Sequence, residues 1–218
     1  MLPLYTCYSS SHAELFELMS GTAKGFDLRP TKLVQRCSTG QFQSTGWGDT
    51  MLDKAAFLVE ACLKHEDGSI FAYSDVDVIF NPNLAADKRF VQNLGALAMA
   101  AQSDGPAGFC TGLFVCRGSP ALTAAWATVR AYMVAWNSHS DQTSFNQAYL
   151  TGHWPLPVGL LTTATSLGAF NGFHRATGAQ ELPHLDVKDL NKWSAFHASW
   201  VLGVEEKRSA LQRILRML

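Results

Sequence analysis

No stretch of the 218-residue chain approaches the roughly 20 consecutive apolar residues of a membrane-spanning helix, although 47% of its residues are hydrophobic. The apolar residues are dispersed for packing, and they suffice for one substantial core. Charge is scarce too. Lys and Arg total 17 against 18 Asp and Glu, a net charge of −1, so no basic face advertises nucleic acid or an anionic membrane. The one local cluster, Lys207, Arg208, Arg213 and Arg216, reads as a solvated helix face. The five cysteines (Cys7, Cys37, Cys62, Cys110, Cys116) are odd in number and scattered. They lack metal-ligand spacing and suit free thiols in a reducing compartment. Met1-Leu2-Pro3-Leu4 has neither the charged nor the apolar region of a secretory leader. These absences lead to the expectation of a soluble, cytoplasmic protein, or a domain cut from a secretory-pathway enzyme. Repeats, low-complexity tracts and linkers are missing as well, so a single domain over residues 1–218 is expected.

What is present is an alternation of strand and helix signals. Leu4–Tyr8 reads as a strand, and Ser9-Ser10-Ser11-His12 as the cap of a helix to about Met19. Thr31–Cys37 is expected to be a second strand, and Gly40–Gly48 a polar loop. Asp49 is placed as the cap of an amphipathic helix over Thr50–His65, with Leu52, Ala55, Ala56, Val59, Cys62 and Leu63 on its apolar face. After Gly68 comes a strand at Ile70–Tyr73. A short helix from Asp87 and a buried strand around Leu97–Ala101 follow, then a strand at Gly112–Arg117. Ser119-Pro120 opens a helix to about Val134, with Pro at its favoured first position. Ser140 or Asp141 caps another to about Leu150, and Glu205–Met217 is the last. Thr151–Lys192, rich in Gly, Pro, Thr and His, reads as mostly loop with one or two short strands, and such stretches are usually functional. The pattern predicts an α/β fold, a mostly parallel sheet covered by helices on both faces, with ligands at the carboxyl ends of the strands.

The segment Ser69–Phe80 is the most informative. An apolar run ends in Asp75-Val76-Asp77, followed by Val78-Ile79-Phe80 and Asn81-Pro82. On a continuous strand the two carboxylates share a face, roughly 6–7 Å apart at Cα. Bringing them together is costly unless a cation lies beside them. Hard oxygen ligands of this kind suit Mg²⁺ or Mn²⁺, which keep open positions for phosphate oxygens. Two solvated aspartates in a turn is the plainer alternative.

Several further blocks occur in a fixed order. Tyr5–His12 opens the chain, and Gly46-Trp47-Gly48 with Lys54 precedes Tyr73–Phe80. Then come Gln102-Ser103-Asp104, Thr111-Gly112-Leu113-Phe114-Val115, Asp141–Asn146 and His197–Lys207. In this order and spacing the chain resembles, over essentially its whole length, the nucleotide-diphospho-sugar transferase family, GT-A glycosyltransferases related to glycosyltransferase family 77.

The resemblance implies a Rossmann-like GT-A fold. It also implies a hexosyl or pentosyl transfer from a nucleotide-diphosphate sugar, a UDP-sugar first among them, to an acceptor hydroxyl with retention of configuration. Asp75 and Asp77 match the family's Asp-x-Asp, which holds a divalent metal, usually Mn²⁺ (or Mg²⁺), on the donor diphosphate. His197 matches a third ligand, and imidazole suits Mn²⁺ better than Ca²⁺; taken alone it reads as a hydrogen-bonded, half-buried histidine. Gly203 and Lys207 open the last helix, where main-chain N–H groups favour phosphate. Lys54 is placed either on phosphates or donor sugar, or in solvent. Tyr8, Ser9 and Ser10 end the first strand, where this fold class binds base and ribose. Asp104, Asp141 and Gln142 match positions around the donor sugar and reacting carbon; Asp141 reads equally as a helix cap. An inverting route would need Asp141 or Asp104 as base. The acceptor is a glycan, a protein or a small molecule.

Two departures stand out. Cys110 occupies the Asn position of an Asn-Thr-Gly-Phe block, and Ser199 the Asn of a His-Ala-Asn block; a thiol hydrogen-bonds weakly where an amide bonds well. The loops of Thr151–Lys192 are expected to frame the acceptor, with Trp154, His174 and Trp193 as candidate sugar platforms beside the alternative of plain packing. Two other functions fit parts of the pattern: a non-catalytic GT-A module that binds sugar nucleotides, and a haloacid-dehalogenase-like phosphatase with Asp75 as nucleophile.

Overall fold

A computed structural model describes residues 1–37, 44–105, 108–167, 190–199, 201 and 203–218. Its centre is a six-stranded sheet built from β1 (Leu2–Tyr8), β2 (Phe26–Lys32), β3 (Ile70–Ser74), β5 (Met99–Ser103), β6 (Phe109–Arg117) and β7 (Val158–Leu160), in the order β2-β1-β3-β6-β5-β7. β1 pairs parallel with β2 and β3, and β5 parallel with β7, whereas β6 is antiparallel to both β3 and β5. Five strands therefore run one way and β6 alone runs back. This is the mostly parallel α/β sheet that the alternation predicts.

The inner strands β1, β3, β5 and β6 are buried on both faces, and their residues sort with period two. Leu4, Ala72, Ala100, Leu113 and Val115 face one apolar cluster; Tyr5, Phe71, Tyr73, Ala101 and Phe114 face the other. The first cluster is covered by α1 (Ala13–Thr22), α3 (Ala86–Leu94) and α6 (Val204–Met217). The second is covered by α2 (Trp47–Leu63), α4 (Pro120–Ala135) and α5 (Asp141–Leu150).

A smaller sheet completes the fold: β4 (Val78–Phe80), β8 (Ala164–Ser166) and β9 (Ala195–His197), with β9 antiparallel to β4 and parallel to β8. Its register sets Val78 opposite His197, and the Ala198 N–H donates to the Asp77 carbonyl at 2.8 Å. Residues remote in sequence thus meet beside the aspartates.

Four sequence expectations are corrected. The second strand lies at Phe26–Lys32 rather than Thr31–Cys37; Pro30 is tolerated because β2 is an edge strand whose outer half is exposed. Ser69–Phe80 is not one strand: β3 ends at Ser74, and Asp75–Asp77 form a turn into the second sheet. Helix α2 starts at Trp47 after Gly46, whose φ of +81° closes the preceding turn; Asp49 sits in its first turn rather than at its cap. Ser10–His12 form a 3₁₀ turn, and α1 begins only at Ala13. Of the Thr151–Lys192 stretch, β7 and β8 are seen, and His174 lies outside the described residues. No described helix is long and apolar enough to cross a membrane.

Candidate active site

A cleft of about 830 Å³ opens where β1 and β3 end and β6 begins. Of the residues singled out in the sequence, Tyr8, Ser9, Lys54, Asp75, Asp77, Asp104, Asp141, Gln142, His197, Gly203 and Lys207 line it. Ser10 does not: the 3₁₀ turn leaves it exposed and directs the chain into α1. Trp154 is 3% exposed and packs against Trp126 and Phe145, so it is a core residue and no sugar platform. Trp193 is half-buried against the first core cluster, away from the cleft lining.

The floor is an acidic triangle. Asp75, Asp77 and His197 each offer a ligand atom, and all three atoms lie within 4.8 Å of one another. The turn after β3 supplies the carboxylates and β9 brings the imidazole. Asp77 is buried, accepting from Lys207 Nζ at 2.5 Å and facing His197 Nε2 at 3.2 Å. Burial alone would raise its carboxyl, but the Lys207 and His197 charges win and hold it well below the usual carboxylate range. Burial likewise acts to lower His197, and the Asp77 charge overrides it, lifting the imidazole to about 10 in the metal-free protein.

Gly112 keeps the triangle open. A Cβ there would stand 2.7 Å from Asp75 Oδ2 and 3.1 Å from His197 Nε2, and closer still to His197 Cε1. Its carbonyl also accepts from the Asp75 N–H at 2.7 Å, tying the turn to β6.

A second charge network adjoins the first. Lys54, 5% exposed, reaches Asp75 at 2.9 Å and Asp141 at 3.1 Å, and its Nζ lies 5.2 Å from the centroid of the Tyr73 ring. Burial opposes its charge, but the two carboxylates raise its pKa and keep it an ammonium. It is therefore a buried shared counter-ion and not a solvated lysine. The Tyr73 hydroxyl donates to Asp75 Oδ1 at 2.6 Å. Ser140, not Asp141, caps α5, accepting from the Thr143 N–H at 3.1 Å. That frees the buried Asp141 carboxylate to accept from Thr111 Oγ1 at 2.8 Å. Gln142 donates to Asp104 Oδ2 at 2.7 Å and accepts from the Thr111 N–H at 3.3 Å.

At the β1 end, Tyr8 stacks on Phe16 at 4.3 Å, and Leu33, Trp47 and Met51 make an apolar wall. His12 also lines the cleft, hydrogen-bonded to Ser9 and Ser11; burial and then Lys207 lower its pKa. Cys110 is buried between the Gly112 N–H at 3.4 Å and His197 Nδ1 at 3.8 Å. Ser199 lines the cleft and hydrogen-bonds Ser166. Sequence reading missed the parts of Tyr73, Thr111, Gly112 and His12. Tyr73 lies two residues before Asp75, and that spacing was its only signal; the Thr111-Gly112 pair was visible as a motif without a role.

None of the curated proteins compared by sequence matches the chain. Among solved structures, a glycosyltransferase involved in glycosylation of the major capsid of PBCV-1 is similar with a TM-score of 0.64 at 11% identity, covering 97% of this chain and 98% of that one. GlyE, a glycosyltransferase of Streptococcus pneumoniae TIGR4, is similar at 0.57 and 13% identity over 99% of this chain and 63% of its own. The galactosyltransferase LgtC, solved with donor and acceptor sugar analogues, is similar at 0.52 and 10% identity over 97% and 96%. These likenesses establish the GT-A fold. The model of the nucleotide-diphospho-sugar transferases matches residues 37–211, most of the chain. This chain, with its acidic turn and lysine-bearing helix lining one cleft, belongs to the nucleotide-diphospho-sugar transferase family and is a glycosyltransferase.

Proposed function

We propose that the cleft transfers a sugar from a nucleotide-diphosphate sugar, a UDP-sugar, to an acceptor hydroxyl with retention of configuration, and that it does so with Mn²⁺ (or Mg²⁺) held by Asp75, Asp77 and His197. The observation that carries this reading is the convergence of those three side chains, from two sheets, around a space that Gly112 leaves clear. Two carboxylates and an imidazole are a donor set suited to Mn²⁺. When bound, such an ion neutralises charge developing on the departing diphosphate.

This chain's own residues supply the rest. Lys207, at the first turn of α6 beside Gly203, lies at the cleft face where the main-chain N–H groups of a helix start favour phosphate. Tyr8 with Ser9, and the apolar wall of Leu33, Trp47 and Met51, suit a base and ribose. Asp104, Asp141 and Gln142 surround the remaining volume, where the donor sugar would sit against the acceptor hydroxyl.

Retention is favoured by how the carboxylates are spent. An inverting route needs a base on the face opposite the leaving group. Asp141 is already paired with Lys54 and Thr111, and Asp104 holds the Gln142 amide. The leaving phosphate itself is then the proton acceptor. All five cysteines are buried and none is in a disulfide, which suits a cytoplasmic protein.

A thermal-shift panel of UDP, GDP, CMP and their sugar conjugates, each with and without Mn²⁺, tests the reading. A ligand at 100 times its Kd adds about 2.7 kcal/mol to the folded state. Stabilisation by UDP and UDP-sugars only with Mn²⁺ is expected. Stabilisation by none of them removes the reading; binding without sugar transfer or donor hydrolysis favours the non-catalytic module, for which Cys110 in its Asn position is the motive.

A further inference from the structure

Gln102 is an awkward residue to bury. It is 1% exposed, and its Nε2 has no hydrogen-bond partner. A buried, unpaired amide donor costs about 1–3 kcal/mol, and a leucine of similar volume would fill the position without that cost. Its place in the sheet is also irregular. Ala101 pairs with Phe114, but Gln102 pairs with Cys110, so Thr111, Gly112 and Leu113 have no partner in β5. Bulges of this kind re-aim side chains next to active sites. Here the Gln102 carbonyl Oε1 is brought to 2.8 Å from His197 Nδ1.

We infer that Gln102 is a positioning residue: its carbonyl keeps a proton on His197 Nδ1 and thereby presents Nε2 to the space bounded by Asp75 and Asp77. An amide oxygen only accepts, so the ring nitrogen facing it must donate. Without that acceptor, a neutral ring can carry its proton on Nε2 instead and donate it to Asp77 Oδ1, 3.2 Å away. That form has no lone pair directed at the triangle. Cys110 Sγ, at 3.8 Å from Nδ1, is a weak substitute acceptor. The inference rests on the reading of Asp75, Asp77 and His197 as cation ligands, and it explains why a stability-neutral apolar residue does not occupy this site.

Two variants and one spectrum test it in the full chain. Gln102→Leu removes the acceptor at nearly constant volume; Mn²⁺ affinity in the presence of UDP is expected to fall about 10- to 100-fold, while the metal-free melting temperature changes little, because relief of the unpaired amide offsets the His197 Nδ1–H left without an acceptor. Gln102→Glu, which still offers an oxygen to Nδ1, is expected to bind Mn²⁺ within about threefold of wild type. Long-range ¹H–¹⁵N spectra of the wild type loaded with UDP and diamagnetic Mg²⁺, which strips the proton from Nε2, should show His197 Nδ1 protonated and Nε2 without a proton. A bare Nδ1 overturns the inference, as does a Gln102→Leu protein that binds Mn²⁺ like wild type. A loss of affinity matched by a lower melting temperature and unrelieved by glutamate also overturns it, because that is a packing defect. A wild type that binds neither Mn²⁺ nor Mg²⁺ removes the cation reading and this inference with it, whereas a bare Nδ1 in a protein that does bind overturns the Gln102 role alone.

Discussion

Adding one methyl group at Gly112 is the sharpest perturbation that the cleft allows. Gly112 is not among the left-handed glycines, so alanine meets no backbone strain and the effect is purely one of space. The new Cβ would lie 2.7 Å from Asp75 Oδ2, and ordinary contact begins near 3.4 Å, so the carboxylate must retreat by about 0.7 Å. His197 has less freedom still: it is 3% exposed, and its far nitrogen abuts Gln102 at 2.8 Å. The methyl thus fills the volume between two of the three ligands and spreads the triangle. A small hard cation such as Mg²⁺ demands ligand distances of about 2.0–2.1 Å and tolerates little more. Mn²⁺-dependent UDP affinity in Gly112→Ala should fall by at least about 100-fold, or about 2.7 kcal/mol. The folded state should lose only the ordinary overpacking cost of about 1–3 kcal/mol, a drop in melting temperature of roughly 2–12 °C for a chain of this size. Titration calorimetry of UDP at saturating Mn²⁺, beside a thermal melt without metal, separates the two effects. An alanine variant that binds Mn²⁺ and UDP within threefold of wild type would refute the placement of the cation beside Gly112.

Three other outcomes follow from the same geometry. Lys54→Met leaves Asp75 and Asp141 without their shared cation and should cost about 3–5 kcal/mol in urea unfolding; adding Asp141→Asn should restore part of it, and a single variant within 0.5 kcal/mol of wild type would show the ammonium to be dispensable. Asp77→Ala should abolish Mn²⁺-dependent nucleotide binding while the circular dichroism spectrum is retained; unchanged Mn²⁺-dependent affinity would dismiss Asp77 as a ligand. Burial pushes the Cys7 and Cys62 thiols up to about 12, so their thiolate fraction at pH 8 is negligible, and peptide mapping after iodoacetamide should find both unmodified until the protein is unfolded. Rapid labelling of native Cys7 at that pH would contradict its burial beneath Tyr73.

The central sheet was readable because its strands carry long apolar runs between strong helix signals: Ile70–Tyr73 and Gly112–Arg117 announce themselves within β3 and β6. β2 was not, since the exposed Arg29-Pro30-Thr31-Lys32 looks unlike a strand until β1 is present to pair with it. The second sheet was equally hidden. Strands of three residues, such as Val78–Phe80 and Ala195–His197, are too short to show a period, and only their pairing makes them strands. The acidic pair was visible in the sequence, but its strand geometry was misjudged, because nothing local distinguishes a strand end from a turn between two sheets. The positions of Lys54 and Asp141 were visible and their partners were not, since a buried ammonium between carboxylates is a long-range arrangement.

The pairing of β4 with β9 also has a kinetic meaning. It joins segments separated by more than half of the chain, so their contact closes one of the longest loops in the molecule. Contacts of such high sequence separation carry a large loop-closure cost and slow folding. A ligand gripping both sides would fasten that closure of the chain, so the cleft's occupancy should govern how quickly β9 and α6 detach, and protease nicking near the C-terminus should slow before the central sheet is affected at all.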